Sequence, residues 1–215
     1  MTEQMDQWGN EFGEEYTKRN PNTPDEMQAL YRARFGVERT AMNEEFLGDL
    51  PRDARILEVG CNVGAQLNLL SRMGFENLYG VEINPFAIER SHELNSGLPI
   101  YVIKGSALEL PFKDGWFDLV YTSGVLIHIN PNDLPTVQRE MARCASKWVW
   151  GFEYYAEEGY VEIPYRGESN LLWKTDFAKR FTENTSGLQL VREKRYTYLD
   201  EPGNLQDNMY LFEKV

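Results

Sequence analysis

Cysteine, long apolar runs and basic residues are all scarce in this 215-residue chain. The two cysteines, Cys61 and Cys144, lack the close spacing of a metal-ligand pair, and so few thiols exclude a disulfide framework. No apolar run approaches the roughly 18 residues that span a bilayer. The opening residues are polar and acidic, unlike a secretory or transit leader. We therefore expect a cytoplasmic protein without a metal site or a membrane segment.

The charge balance limits the partners of the chain. Lysine and arginine number 22 against 34 aspartates and glutamates, for a formal net charge of −12. A general nucleic-acid binder needs basic surface to neutralise phosphates. We therefore expect no DNA partner, and bulk RNA is disfavoured as a substrate.

Apolar runs alternate with helix-forming segments along most of the chain, and the last two strands follow without a clear helix between them. This order predicts an α/β fold with a mostly parallel, seven-stranded, Rossmann-like sheet, an antiparallel edge strand and helices on both faces. The strands are expected near residues 55–60, 77–82, 99–104, 117–123, 147–154, 188–198 and 207–214.

A glycine turn follows the first apolar run and indicates a ligand site. Gly60 and Gly64 allow the backbone to approach a ligand closely, and Glu82 lies where a ribose-binding acid sits in a βαβ nucleotide fold. The dinucleotide fingerprint Gly-x-Gly-x-x-Gly fails, because Asn62 and Ala65 occupy its later glycine positions. Glu58 would also repel a pyrophosphate, whereas it would favour a ligand with ribose hydroxyls, an amine and a sulfonium.

Three segments together carry a family resemblance. Residues 58–64 (Glu-Val-Gly-Cys-Asn-Val-Gly), 81–84 (Val-Glu-Ile-Asn) and 117–123 (Phe-Asp-Leu-Val-Tyr-Thr-Ser) occur in the order and spacing of class I methyltransferases that use S-adenosylmethionine. The chain resembles this family over roughly residues 52–150. The resemblance implies S-adenosylmethionine as the cofactor and a small-molecule methyl acceptor as the partner.

The resemblance and the motif positions predict four cofactor-binding loops. The Glu82 carboxylate is expected to accept from both ribose hydroxyls, with Ile83 or Asn84 beside the adenine. Ser106 departs from the acid that the family usually has near the adenine amino group, so the Ser106 hydroxyl or the Ala107 backbone would take that role. The predicted cofactor-binding residues of the four loops are Glu58, Gly60, Cys61, Asn62, Gly64, Glu82, Ile83, Asn84, Ser106, Ala107, Ser123, Gly124 and Val125.

The acceptor side is predicted from residues beyond strands four and five. His128 follows the fourth strand and is one of only two histidines, the natural bases near neutral pH, although a histidine there can equally pack structurally beneath the cofactor. Aromatic residues and one arginine follow the fifth strand and suit a small polar or anionic substrate, although they also suit ordinary loop packing. His128 is the predicted catalytic residue, and Tyr154, Tyr155, Tyr165 and Arg166 are the predicted substrate residues.

A narrower resemblance extends over most of the chain. Residues 8–20, 124–131, 153–155, 165–167 and 173–177 look like methylases associated with pseudaminic acid biosynthesis. That resemblance implies an acceptor from a sugar pathway, such as a nucleotide-sugar. The aromatic segment 1–22 shows no clean periodicity, and we expect it to be mobile without ligand and to close over the cofactor, bringing Tyr16 and Arg19 into the cofactor site.

The predicted organisation is one methyltransferase domain, and three functions remain open. Besides methylation of oxygen or nitrogen on a small polar metabolite, the chain could methylate RNA bases or bind S-adenosylmethionine without catalysis. The predicted parts are an N-terminal lid and helix at 1–50, a cofactor-binding core at 51–155, a substrate-side insertion at 156–174, and a C-terminal helix and strands at 175–215.

Overall fold

The computed structural model describes residues 3–215, whose contacts group into two compact units. The first unit ends at Ser106, and the second runs from Ala107 to Val215. Each unit has its own buried apolar residues, with Ile56 and Leu57 in the first and Trp150 and Phe212 in the second.

The first unit combines helices with three parallel strands. Its middle strand pairs with a neighbour on each side, Leu57 opposite Tyr79 and Tyr79 opposite Tyr101. The strands are short apolar runs, as expected of parallel strands. The elements are α1 (Glu3–Gly9), α2 (Glu11–Arg19), α3 (Pro24–Phe35), α4 (Arg39–Leu47), β1 (Arg55–Val59), α5 (Ala65–Arg72), β2 (Asn77–Glu82), α6 (Pro85–Leu94) and β3 (Ile100–Lys104).

The second unit contains four long strands and a small hairpin. Its elements are β4 (Phe117–Ser123), a short 3-10 helix (Leu126–His128), α7 (Leu134–Cys144), β5 (Ala145–Tyr154), β6 (Val161–Glu162), β7 (Trp173–Lys174), α8 (Phe177–Asn184), β8 (Leu188–Thr197) and β9 (Gln206–Lys214). Strands β4 and β5 pair in parallel, whereas β9 pairs antiparallel with both β5 and β8.

The sheet order is β3-β2-β1-β4-β5-β9-β8, which gives seven strands. The predicted fold is confirmed, and its antiparallel pairing is confined to the end of the sheet formed by β9 and β8. The other two strands, β6 and β7, form a separate two-stranded sheet. The carboxyl ends of β1, β2, β4 and β5 lead into the loops that carry most of the predicted site residues.

The N-terminal segment differs from the prediction, because it forms two helices rather than an irregular segment; Met1 and Thr2 lie outside the described residues. Trp8, Phe12 and Tyr16 follow one another at intervals of four, and the ring of Trp8 lies 5.1 Å from that of Phe12 and 5.2 Å from that of Tyr16. This helical spacing is interrupted at Asn10 between α1 and α2. Aromatic contacts between the two short helices therefore stabilise a helical structure that the polar composition of the segment did not indicate.

The insertion after β5 also has more structure than expected. Strands β6 and β7 pair within it, and Asp176 caps the following helix by accepting from the Lys179 N–H at 2.9 Å. Thr175, the residue before this cap, has a different role. The Thr175 hydroxyl instead donates to the Gly159 carbonyl at 2.5 Å, a contact that sequence proximity could not indicate.

Among residues 3–215, no helix has the length and apolar character needed to cross a membrane.

Candidate active site

The loop after β1 has a backbone conformation that favours glycine at several positions. Gly60, Asn62 and Gly64 have φ values of 72°, 47° and 73°, all in the left-handed region. The Gly60 and Cys61 N–H groups both donate to the Val81 carbonyl, at 2.8 and 3.1 Å. A Cβ on Gly64 would lie 3.0 Å from the Ser91 hydroxyl, so this glycine also permits close packing. The loop is therefore tied to β2 and held in shape by its glycines.

Glu82, at the end of β2, joins two of the predicted loops. One carboxylate oxygen, Oε2, accepts from the Asn62 N–H at 2.8 Å, and Oε1 accepts from the N–H groups of Ile83 and Asn84 at 2.8 and 2.9 Å. The carboxylate is buried, and burial raises its pKa while the three N–H groups oppose that rise. A carboxylate has about four acceptor positions. Glu82 therefore has one left for a ligand hydroxyl, rather than the two expected for both ribose hydroxyls.

Glu58, near the end of β1, and Cys61, within the loop that follows, are both buried. The Cys61 thiol packs against β2, since a Cβ on Gly80 would lie 2.5 Å from its Sγ. Burial, followed by the charges of Glu58 and Glu82, raises the pKa of the Cys61 thiol. In the structure Cys61 therefore shapes the loop through packing and its backbone, and its thiol is not activated as a nucleophile.

Asn84 has a different role from the one expected beside the adenine. Its Oδ1 accepts from the N–H groups of Phe86 and Ala87 and so caps α6, while its Nδ2 donates to the carbonyls of Trp8 and Asn10 at 2.9 and 3.0 Å. Both polar atoms of the Asn84 side chain therefore form hydrogen bonds with main-chain groups of the protein itself. This side chain fastens the junction of α1 and α2 to the loop after β2.

The two N-terminal helices contact several residues that were predicted near the adenine. A Cβ on Gly9 would lie 3.9 Å from Ile83 Cγ1, and the Ser106 hydroxyl lies 3.9 Å from Met5 Sδ. Of the two inward-reaching residues predicted from this segment, Tyr16 is half-buried against Trp8, whereas Arg19 is exposed at the end of α2. The structure thus brings α1 and α2 against the predicted adenine end of the first unit.

In the second unit, Ser123, Gly124 and Val125 form the loop after β4, and the half-buried Ala107 opens the unit. Gly124 has a φ of 67°, its N–H donates to the Phe152 carbonyl at 2.8 Å, and the space where its Cβ would lie is open. Gly124 therefore leaves room on one side of the loop while hydrogen bonding to β5 on the other.

His128 ends the short 3-10 helix and is buried. Its Nδ1 lies 2.7 Å from the Leu171 carbonyl oxygen, which can only accept, so Nδ1 carries the proton and Nε2 is the acceptor nitrogen. Burial lowers the pKa of His128 to about 4, despite the hydrogen bond to Leu171. The imidazole is therefore neutral near pH 7, and its Tyr165 neighbour lies 5.4 Å away between ring centroids.

The other predicted substrate residues separate into two kinds. Tyr154 and Tyr155 are half-buried, with Lys174 Nζ 5.2 Å from the ring centre of Tyr154 and the Arg195 guanidinium 3.9 Å from that of Tyr155. Arg166, by contrast, is exposed with a φ of 56° in a tight turn. Aromatic–cation pairs are thus present after β5, whereas Arg166 occupies a turn position.

Glu153 was not predicted as a site residue, although it lies between residues that were. It is a buried acid in an otherwise aromatic and apolar strand, and its carboxylate accepts from the Val125 N–H at 3.2 Å and from the Ile127 N–H at 3.4 Å. An ionisable residue inside a strand expected to be buried on both faces was the available signal, because such a group needs polar partners.

Comparisons with known proteins agree with this geometry. Residues 57–147 match the model of a methyltransferase domain. An S-adenosylmethionine-dependent methyltransferase from Leishmania major superposes with a TM-score of 0.73 at 16% identity, over 99% of this chain and 87% of that one. The Burkholderia thailandensis 1,6-didemethyltoxoflavin-N1-methyltransferase, solved with S-adenosylhomocysteine, superposes at 0.64 with 15% identity, over 82% and 76%. Residues 57–147 therefore match a methyltransferase domain, and the two superposed structures share the fold of this chain.

A curated relative adds a sequence match. The 24-methylenesterol C-methyltransferase 2 of Arabidopsis thaliana is 28% identical over 176 residues, which cover 72% of this chain and 48% of that protein. The chain thus spans about half the length of this relative.

The first unit has features that fit S-adenosylmethionine, the cofactor expected from the sequence. Asn62 Oδ1 is buried and has no hydrogen-bond partner among the described residues, and a ligand donor would satisfy it. The spare acceptor position of Glu82 suits a ribose hydroxyl, and the acidic pair of Glu58 and Glu82 suits a cationic ligand better than a pyrophosphate.

Proposed function

We propose that this chain transfers the methyl group of S-adenosylmethionine to an oxygen or nitrogen of a small polar metabolite, such as a nucleotide-sugar or another sugar-pathway intermediate. The observation that carries the proposal is the hydrogen bond from His128 Nδ1 to the Leu171 carbonyl, which leaves a neutral imidazole with an acceptor nitrogen beside Tyr165. When bound, S-adenosylmethionine supplies an electrophilic methyl group on its sulfonium.

The residues of the first unit hold the cofactor in this proposal. Glu82 accepts a ribose hydroxyl, the loop from Gly60 to Gly64 follows the ligand closely, and Asn62 Oδ1 accepts a ligand donor. Helices α1 and α2 act as a lid that excludes water, fastened by Asn84. Motif order assigns Ser123, Gly124 and Val125 of the second unit to the methionyl end, and Ser106 and Ala107 to the adenine end.

His128 is proposed as the catalytic residue. Its Nε2 would accept a hydrogen bond from the hydroxyl or amine of the acceptor and align that nucleophile for in-line attack. Because the pKa of His128 lies at about 4, the imidazole orients the nucleophile and takes a proton only as the new bond to the methyl group forms. Tyr154, Tyr155 and Tyr165 would line the acceptor site, with Arg166 at its rim.

The polar and cationic residues after β5 support a small polar metabolite as the methyl acceptor. Lys174 over Tyr154 and Arg195 over Tyr155 give the region after β5 cationic groups on aromatic faces. Such pairs suit hydroxyl-bearing or anionic acceptors better than a sterol, which is the kind of substrate named for the Arabidopsis relative. The resemblance to pseudaminic acid-associated methylases favours the same class.

The acceptor class is tested by where a labelled methyl group goes. The protein would be incubated with S-adenosylmethionine labelled in its methyl group and, separately, with a polar metabolite pool containing nucleotide-sugars, a sterol-containing lipid extract and bulk RNA. We expect label in the polar metabolites. Transfer only to lipid or RNA would contradict the acceptor class, and binding without transfer to any pool would indicate a cofactor-binding module.

The role of His128 is tested with the two histidines as a matched pair. His128→Asn keeps a donor near the Leu171 carbonyl but removes Nε2, and we expect kcat to fall about a hundredfold while affinity for S-adenosylhomocysteine changes little. His92, which is exposed on α6, provides the control variant His92→Asn. Equal kcat values for the two variants would show that His128 is a packing residue.

A further inference from the structure

The buried carboxylate of Glu153 has no part in the proposed chemistry, yet it organises the loop that carries His128. Glu153 is 1% exposed near the end of β5, and no lysine or arginine of the described chain pairs with it. Its two oxygens instead accept from the N–H groups of Val125 and Ile127, and the Leu126 N–H also stabilises its charge. One carboxylate thus interacts with the main-chain N–H groups of three successive residues.

These amides are the ones that the short 3-10 helix cannot satisfy itself. The first N–H groups of any helix lack carbonyl partners within the helix, and the first internal bond here runs from the His128 N–H to the Val125 carbonyl at 2.9 Å. Glu153 therefore acts as a cap supplied by a neighbouring strand. Removing its charge leaves buried N–H groups without an adequate acceptor.

Residues from two other strands lie beside the carboxylate. The Thr122 hydroxyl of β4 lies beside it and stabilises its charge. The buried Tyr210 of β9 is a titratable neighbour of Glu153. Burial raises the pKa of the Tyr210 hydroxyl, and the charges of Glu153 and Asp176 raise it further. Gly151 makes room for that tyrosine, because a Cβ there would lie 2.2 Å from the Tyr210 hydroxyl oxygen.

We propose that Glu153 is a positioning residue for methyl transfer, whose carboxylate fixes residues 125–127 and through them the imidazole of His128. The proposal rests on the proposed function only in giving His128 its role toward the acceptor. When Glu153 takes up a proton, the carboxyl gains a donor facing amide donors, and at least one of the three contacts is lost. Activity should then fall as Glu153 becomes protonated.

The first test uses the ligand-free protein and is independent of the proposed function. Burial raises the pKa of Glu153 to about 7. Amide NMR between pH 5.5 and 8.5 should therefore show the Val125 and Ile127 signals titrating together, with a midpoint near 7. In Glu153→Gln these shifts should disappear, whereas Glu158→Gln, which removes an exposed acid of the same strand-end loop, should keep them. Amide signals that do not titrate in the parent protein would overturn the proposal.

The second test separates positioning from simple loss of structure. With labelled S-adenosylmethionine and the acceptor methylated by the parent protein, Glu153→Gln should lower kcat at pH 8 at least tenfold and remove an acid limb near pH 7. Its affinity for S-adenosylhomocysteine, measured by calorimetry, should change less than threefold. A smaller fall in kcat, or a retained acid limb, would overturn the role of Glu153. Absence of methyl transfer in the parent protein would instead contradict the proposed function, and the amide titration would still decide the role of Glu153.

Discussion

Asn84 donates from Nδ2 to the main-chain carbonyl of Trp8 at 2.9 Å, across 76 positions of sequence. The same amide group donates to the Asn10 carbonyl, while Oδ1 caps α6. One side chain therefore joins the N-terminal helices to the start of α6, the helix that follows Glu82.

Asn84→Asp should release α1 and α2 without unfolding the first unit. Aspartate keeps the acceptor that caps α6 but loses the two donated bonds, a cost of about 1–2 kcal/mol. Hydrogen exchange across α1 and α2 should accelerate roughly tenfold, and S-adenosylhomocysteine should slow it in the parent protein more than in the variant.

The control for this prediction is Asn77→Asp, which removes one amide bond to the Asp53 carbonyl at the other end of β2. Equal exchange in Asn84→Asp, Asn77→Asp and the parent protein would show that Asn84 does not hold the helices. Identical exchange with and without S-adenosylhomocysteine would remove the lid role of α1 and α2.

The pH dependence of stability should distinguish Glu153 from His128. Because its folded pKa of about 7 exceeds the ordinary 4.5, Glu153 contributes stability that is fully present below pH 4.5 and lost as the pH rises through 7. His128 has the opposite sign, because its folded pKa of about 4 lies below the ordinary 6.5, so its contribution is present above pH 6.5 and lost as the pH falls through 4.

Urea unfolding at several pH values measures the contribution of Glu153. Relative to Glu153→Gln, the parent protein should lose about 2–3 kcal/mol of unfolding free energy between pH 5 and pH 8. Glu158→Gln should follow the parent protein at every pH. A difference between parent and Glu153→Gln that stays constant across this range would contradict a raised pKa for Glu153.

Gly151→Ala should destabilise the second unit by about 2–3 kcal/mol. The added Cβ would lie 2.2 Å from both Cζ and the hydroxyl oxygen of Tyr210, and a buried ring cannot move freely. Gly9→Ala is the steric control, because its Cβ would make an ordinary contact at 3.9 Å with Ile83. Thermal unfolding measures both, and equal midpoints would show that the packing of Tyr210 on β5 is looser than the structure indicates.

Local patterns predicted much of the fold. The apolar runs of β1, β2 and β4 and the glycine turn each depend on residues close in sequence. The alternation of strands and helices then predicted a mostly parallel sheet of seven strands with an antiparallel edge, whereas the order of the strands came from the structure.

The parts that escaped prediction depend on contacts between distant residues. The role of Asn84 depends on carbonyls of α1 and its following turn, and the hydroxyl of Thr175 is taken by Gly159 rather than by the helix it precedes. Glu153 was unassigned because its partners, the amides of residues 125–127, are main-chain groups that any sequence would supply. An ionisable residue within an aromatic and apolar strand was the local sign of its importance.

The central claim, that the first unit binds S-adenosylmethionine through Glu82, is tested most directly by calorimetry with S-adenosylhomocysteine. The parent protein should bind one equivalent and give no heat with NADH, because Asn62 and Ala65 interrupt the dinucleotide fingerprint. Glu82→Gln should weaken binding about tenfold or more through loss of a charge-assisted bond, whereas Glu89→Gln, which alters an exposed acid on α6, should bind as the parent does. No binding by the folded parent protein, or equal affinity in folded Glu82→Gln, would contradict the account.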